Sequence, residues 1–450
     1  MISTGAGLAL ATISYTSNMQ VASYVAGDSG WIAILTAGAI CVLASLSFSE
    51  LVGMFPTAAG IKLFIERAFG EKAALIFATI YVTISIAVVG SESYILANVL
   101  STAFPVVPKL AWVFFFLTAI ALINVRGIKI AGLTQDITTY SMFAALIGLS
   151  AYALFRNGFA LTTPFAPGSS LGFTQAVAVG IFLYLGFEWV TPLAEEVTDF
   201  RLIPRGMLGA IGLLGVSYAL FNVALTSTVD KSLMVSSPVP HVLFARTLLG
   251  PAGVMIMMLL SILASVTTFN AGVLTASRFI YALSRDRALP RFLSSIHPTY
   301  ATPWVAVGLL YILSVGISLA VFFTGKYKVF IFLGAAIESM IYVVMAAAVI
   351  ALRRREPARH RPFRIPGGLT FPLITGLLFA VLFVLVFLPD PTHPEDVSSQ
   401  LAALIILLAT FVLVSAYAWW GVPRLRAHYG TLARRRRRPR RLTQDLTGRS

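Results

Sequence analysis

Apolar runs alternate with short basic or Gly/Pro-containing connections along most of the chain. Runs of about 18–25 apolar residues can cross a bilayer as helices. Twelve can be read, at about 2–24, 30–55, 72–103, 109–125, 130–155, 175–195, 206–229, 252–283, 303–324, 329–352, 370–388 and 400–421. The pattern predicts an all-α polytopic membrane fold. The third and eighth runs are long and predict helices that tilt or extend past the bilayer. One stretch, residues 175–206, organises the rest. It begins as an apolar helix and places Gly186 and Glu188 where lipid tails belong. It ends in Glu195, Glu196, Asp199, Arg201 and Arg205, with Pro204 as a stop. A carboxylate at membrane depth costs roughly 3 kcal/mol on insertion scales unless it faces protein or water. The adjacent glycine loosens the helix, and freed backbone is tolerated in a bilayer only where it lines a cavity. This stretch therefore predicts half of a small-molecule site, with the remaining spans as scaffold.

Composition agrees. Of 450 residues, 58% are hydrophobic and 11% charged, and the mean hydropathy is +0.87. These values belong to a membrane protein and not to a soluble globule. Cys41 is the single cysteine, which excludes an intrachain disulfide framework. No cleavable signal peptide is visible. The formal charge of +15 does not point to nucleic acid, because the basic residues sit between apolar runs and in the tail. Placing the connections after runs 2, 4, 6, 8 and 10 and the tail on one side gathers all but six of the 33 basic residues there. The exceptions are Lys109, Arg156, Lys231, Arg246, Lys326 and Lys328. By the positive-inside rule both termini are predicted cytoplasmic in a multi-pass protein of the cell membrane. The external connection near 230–250 is long enough for a short surface helix. The tail run Arg434–Arg438 reads as a topology anchor against anionic lipid.

No tandem repeat of 20–50 residues appears. A weaker symmetry does: Gly5-Ala6-Gly7 interrupts run 1 and Leu185-Gly186-Phe187-Glu188 interrupts run 6. These open two sets of five spans, and an odd number per set makes the sets antiparallel. Matching interruptions in inverted halves point to a site at the membrane midplane.

The sequence resembles the amino acid–polyamine–organocation permease superfamily over roughly residues 4–370. The resemblance rests on Gly5-Ala6-Gly7; Ser49-Glu50-Leu51 with Phe55-Pro56 and Ala59-Gly60; Ala68-Phe69-Gly70; Gly186-Phe187-Glu188 with Ala194-Glu195-Glu196-Val197 and Ile203-Pro204-Arg205. It continues through Ser277-Arg278, Tyr281, Arg285-Asp286, Leu289-Pro290 and the run from Arg361 to Gly367. It implies a 5+5 inverted repeat with helices 1 and 6 broken: a first repeat over 1–156, a second over 175–352, two further helices over 370–422 and a basic cytoplasmic tail over 423–450. It also implies that the substrate carboxylate is held by backbone N–H groups of Gly5, Ala6 and Gly7, since half-helix N-termini carry partial positive charge and unpaired donors. The ammonium group would meet carbonyls near Phe182, Leu183 and Leu185, beside the break at Gly186. Phe182 would be the aromatic gate, with Tyr184 nearby. Two departures stand out. Only Met1 to Thr4 precede the glycine break, about 6 Å of helix, so the first helix is expected to be truncated or the start to lie upstream. The lysine that some proton-coupled members carry in helix 5 maps near Ser141 or Met142, and no lysine occurs between Lys129 and Lys231.

Other polar residues carry two readings each. Glu188 is a protonatable coupling group or a paired brace. Glu92 and Glu338, in runs 3 and 10, are coupling candidates facing a cavity or interhelical hydrogen-bonding groups. Asp136 is expected in an ion pair with a nearby basic residue. Thr267 and Thr268, with Asn270 beside them, form a sodium site or bond to their own helix carbonyls. Glu50, Glu195, Glu196, Arg201 and Arg205 make an inward gate or a solvated rim. The five histidines are scattered and show no ligand spacing, and no metal or cofactor motif appears. With these residues, the resemblance implies a secondary transporter of a neutral amino acid, not an enzyme, driven by protons or by exchange. A permease for a simple amine, such as ethanolamine or a polyamine, and a non-transporting amino acid sensor are the alternatives.

Overall fold

A bilayer allows backbone to cross only where its hydrogen bonds close within the segment or against protein, so apolar runs become helices and polar connections become ends. The computed structural model describes the chain except residues 1, 8, 26–27, 57–59, 128–131, 159–168, 196, 198, 200, 236 and 438–450. Among the described residues there is no β-strand. The first run is α1 (Ile2–Gly7) and α2 (Thr12–Ser23), and the second is α3 (Gly30–Met54). The short α4 (Gly60–Phe69) follows, then α5 (Glu71–Ala103), α6 (Lys109–Arg126) and α7 (Gly132–Arg156). Run six opens as α8 (Ser170–Gly180) and tightens into 3-10 turns over Ile181–Tyr184 and Phe187–Glu195. Then come α9 (Leu202–Thr228), the short α10 (Lys231–Val235), α11 (Pro240–Arg285), α12 (Trp304–Thr324), α13 (Lys328–Arg355) and α14 (Thr370–Phe387). The last run is α15 (Pro394–Ala416), which passes through a π turn into α16 (Val422–Arg437).

Eleven segments among the described residues are long and apolar enough to cross a membrane. The predicted first run is not one of them, because it is split into two short helices. The chain is a multi-pass membrane protein with the predicted all-α architecture, and helices 1 and 6 are both interrupted.

Four local departures refine the predicted boundaries. α11 begins well before residue 252, and Gly250, at φ 60° and followed by Pro251, kinks it. Its first part is the short helix expected in the 230–250 connection. α4 buries Gly60, Ile61, Phe64, Ile65 and Ala68, positions three to four apart that give a helix one apolar face. Helix continues past residue 421 as α16, which Arg426 ties back to Glu71 at the start of α5. His241, in the first part of α11, is fully buried, with its ring centroid 5.3 Å from that of Tyr15.

α13 runs the depth of the bundle between two buried ionic clusters. At one end Lys328 meets Asp396 at 2.7 Å, and Asp396 also accepts from Gln20 and from the Tyr24 hydroxyl. At the other end Arg353 grips Glu50 with two hydrogen bonds of 2.8 and 2.5 Å. Arg361 approaches the same carboxylate at 3.4 Å, and the Ile365 N–H donates to it at 2.9 Å. Glu50 is thus a buried junction between α3, α13 and the Arg361–Gly367 run, not a solvated rim. Glu196 lies outside the described residues, as does the side chain of Glu195.

Candidate substrate site

The two pieces of helix 1 pack directly on the pieces of helix 6, α1 on the Phe187–Glu195 turns and α2 on α8 and the Ile181–Tyr184 turn. Helix 6 loses its α ladder at Ile181. Leu185 turns extended at ψ 120°, and Gly186 takes φ 110°, a backbone region that glycine enters without penalty. Helix 1 is interrupted between Gly7 and Thr12. The glycine triplet itself stays helical, and the break opens just after it. Gly5 is needed for close approach: a Cβ there would stand 2.9 Å from Val190 and 3.2 Å from the Phe187 carbonyl, in the second half of helix 6. Gly7 likewise presses against Gln135 of α7, and Ala6 is fully buried.

Helix 1 restarts at Thr12 behind Ala11, an extended residue whose side chain cannot cap. Alanine is among the poorest N-caps, and the first N–H groups of a helix need acceptors. Glu92, from the middle of α5, supplies them. Its carboxylate accepts the Thr12 and Ile13 N–H groups at 2.7 Å each and the Ser265 hydroxyl at 2.5 Å. The Thr12 hydroxyl donates to the Ser261 carbonyl at 3.1 Å, with the Ser265 hydroxyl oxygen beside it at 3.1 Å. This network joins helix 1, α5 and α11. Glu92 is thus hydrogen-bonded between helices, to two backbone donors at the break and to the Ser265 hydroxyl. The Ala9 and Ala11 N–H groups make no backbone hydrogen bond to a described residue, while the Ala9 carbonyl accepts the Tyr218 hydroxyl at 2.6 Å.

On the helix 6 side, Phe182 lies against Gly334 of α13, where a Cβ would come within 2.6 Å of its ring. Leu183 is fully buried. The Phe182 carbonyl receives the Leu185 N–H at a long 3.3 Å. Tyr184 turns the other way and donates to the Ile34 carbonyl of α3 at 2.8 Å. Glu188 accepts hydroxyls from Tyr81 of α5 and, at 3.2 Å, Tyr342 of α13. The rings of Phe48, Phe187 and Tyr342 pack on one another beside it, with centroids 5.5–6.1 Å apart. Glu338, one turn before Tyr342, is fully buried. Neither of its oxygens has a hydrogen-bond partner among the described residues.

Other predicted residues fall elsewhere. Thr267 donates to its own helix, to the Leu263 and Ala264 carbonyls at 3.1 and 2.8 Å. Thr268 is buried without a hydrogen-bond partner among the described residues. Asn270 accepts from Asn124. Among the described residues Asp136 accepts the Ser3 hydroxyl, which fastens α1 to α7, while the nearby Lys129 lies outside the described residues. Sequence reasoning missed Ser265, Tyr81 and Tyr342, since single hydroxyls in apolar helices carry no periodic signal.

No group of three or more potential metal ligands occurs among the described residues. The arrangement offers free backbone dipoles, three buried carboxylates and hydroxyl donors around two broken helices, which suits reversible binding of a small polar molecule.

Comparison with known proteins agrees. The family model described as "Amino acid permease" matches residues 1–411. The chain is 26% identical to human (Homo sapiens) Asc-type amino acid transporter 1 over 380 residues, 79% of this chain and 70% of that one. It is 26% identical to the branched-chain amino acid permease BcaP of Bacillus subtilis (strain 168), covering 80% of each chain. It is also 25% identical to the methylthioribose transporter of the same organism, covering 83% of this chain and 84% of that one.

Proposed function

The chain belongs to the amino acid permease family, and from that premise we propose that it is a secondary transporter carrying a neutral amino acid across the cell membrane by alternating access. The observation that carries the reading is the juxtaposition of two helix breaks, at residues 9–11 and at Leu185–Gly186, inside an apolar bundle. Helix interruptions at membrane depth expose peptide donors and acceptors that lipid cannot satisfy and a zwitterion can. The substrate carboxylate lies at the helix 1 break, near the Ala9 and Ala11 N–H groups. The ammonium group lies at the carbonyls of Phe182, Leu183 and Leu185, under the Phe182 ring.

The two five-helix sets are inverted repeats, with both termini cytoplasmic. The placement of short helices supports this, since α4 follows the second span, and α10 with the first part of α11 follows the seventh. Transport is driven by a proton gradient or by exchange. Thr267 and Thr268 remain the candidate sodium ligands, although Thr267 is occupied by its own helix.

Radiolabelled neutral amino acids offered to proteoliposomes, with and without an imposed pH gradient, test the proposal. Saturable uptake of at least one supports it. Binding without flux removes transport and leaves the sensor reading.

One observation favours a second reading. Glu92 already occupies the N-terminus of α2, where a substrate carboxylate would gain most. A simple amine such as ethanolamine or a polyamine would leave that bond intact. Competition by the matching amino acid separates the two.

A further inference from the structure

One face of α13 looks onto both sides of the helix 6 break. Gly334 touches Phe182, and Tyr342 touches Phe187 and Glu188. Glu338 lies midway between them, four residues from each, and residues four apart share a helix face. Its two oxygens are buried and make no hydrogen bond of normal geometry among the described residues, and Tyr342, one turn along the same face, donates to Glu188 at 3.2 Å.

Among the described residues no cation pairs with either carboxylate, and Arg205 of α9, the helix packed on the second half of helix 6, is exposed. The titratable neighbours are Tyr342 on the same helix, Tyr81 of α5 and Cys41 of α3. α8, α14 and the Ile181–Tyr184 turn carry no charged residue. On α13 itself Lys328 is ten residues away, about 15 Å, and bound to Asp396. Arg353 is fifteen residues away in the other direction, about 22 Å, and bound to Glu50. The charges of α4 lie at that same end, where Arg355 bonds the Ala68 carbonyl, and Asp396 of α15 lies at the Lys328 end. Glu92 of α5 is three turns from Tyr81 and bound at the helix 1 break.

Resting on the transport reading above, we propose that Glu188 and Glu338 form a proton-binding site that holds one proton between them, and that this proton is the ion coupled to substrate movement. Two carboxylates buried together without a counter-ion cannot both stay ionised, and a shared proton relieves the repulsion. A proton also supplies the donor that the unpartnered Glu338 lacks. Its arrival and departure change the charge beside Gly186, where the backbone is already free of the α ladder. The proton therefore biases the element that must rearrange when the site changes the side it opens to.

Two measurements on the full-length protein test this. In proteoliposomes with an internal pH dye, wild type acidifies the lumen as substrate enters. Glu338→Gln loses that signal and loses accumulation driven by an imposed pH gradient, while Glu338→Asp, which keeps the acid, restores both. Gradient-driven accumulation by Glu338→Gln at the wild-type level would overturn the proposal. The second measurement needs no substrate. Infrared spectra of the purified protein near pH 7 should contain a protonated-carboxyl band that Glu338→Gln removes. Absence of that band from wild type between about pH 5 and pH 8 would overturn the site whatever the substrate proves to be. Presence of the band with no uptake of any amino acid would leave the site standing and remove the transport reading.

Discussion

Glu92, in the middle of α5, accepts the Thr12 backbone N–H at 2.7 Å, eighty residues away in the chain. The helix cap that Ala11 cannot supply locally comes from another membrane helix. Glu92→Ala would strand two buried N–H groups, each at a cost of about 1–3 kcal/mol. The variant should melt earlier in detergent, and an amino acid whose carboxylate takes the vacated position should recover more of the lost stability than an equimolar simple amine. Equal recovery by both would argue against a carboxylate position at the break.

Gly334 and Phe182 make the second testable contact. Gly334→Ala places a methyl group 2.6 Å from the Phe182 ring. Overpacking of this kind costs about 1–3 kcal/mol, and here the ring must move. The expected result is a changed apparent substrate affinity with normal membrane insertion, measured by uptake kinetics. Unchanged KM would place Phe182 away from the substrate.

Glu50 and Arg353 are 0% and 6% exposed at their side chains. Removing one partner of a buried pair leaves a stranded charge, which costs about 3–5 kcal/mol. Arg353→Met alone should lower thermal stability sharply, and Glu50→Gln added to it should recover part of the loss. Additive losses in the double variant would show that the two residues do not act as a pair.

Asp390 lies outside the membrane-spanning segments. Burial works to raise its carboxyl value but is outweighed by the Thr392 N–H and hydroxyl, at 2.9 and 2.7 Å, and by nearby His393. The net shift is downward. A lowered folded-state value stabilises fully above the unfolded value, about 3.9, and the benefit fades as pH falls through the folded value. Asp390→Asn should therefore melt below wild type from about pH 5 to pH 8, and the two curves should converge in acid as the carboxyl protonates. Equal melting of the two proteins above pH 5 would show that the Thr392 and His393 contacts do not stabilise the fold.

Much of this protein was legible before any coordinates. A bilayer core about 30 Å thick demands about twenty apolar residues per crossing, so run length alone placed eleven spans and exposed the anomaly at Gly186–Glu188. The twelfth reading, at 2–24, was a helix in two pieces, and the glycines that flagged it mark close packing one turn before the break itself. Run length and composition are local properties, and local patterns register them. The tertiary structure decided which groups serve the breaks. Glu92 rather than a local side chain caps α2, Ser3 holds Asp136, and Glu338 lies buried one turn from the Tyr342 that donates to Glu188, with no hydrogen-bond partner among the described residues. These relationships join residues far apart in the chain. Their chemistry depends on which helix faces meet in three dimensions, a quantity that apolar helices, nearly uniform around their circumference, do not write into their periodicity.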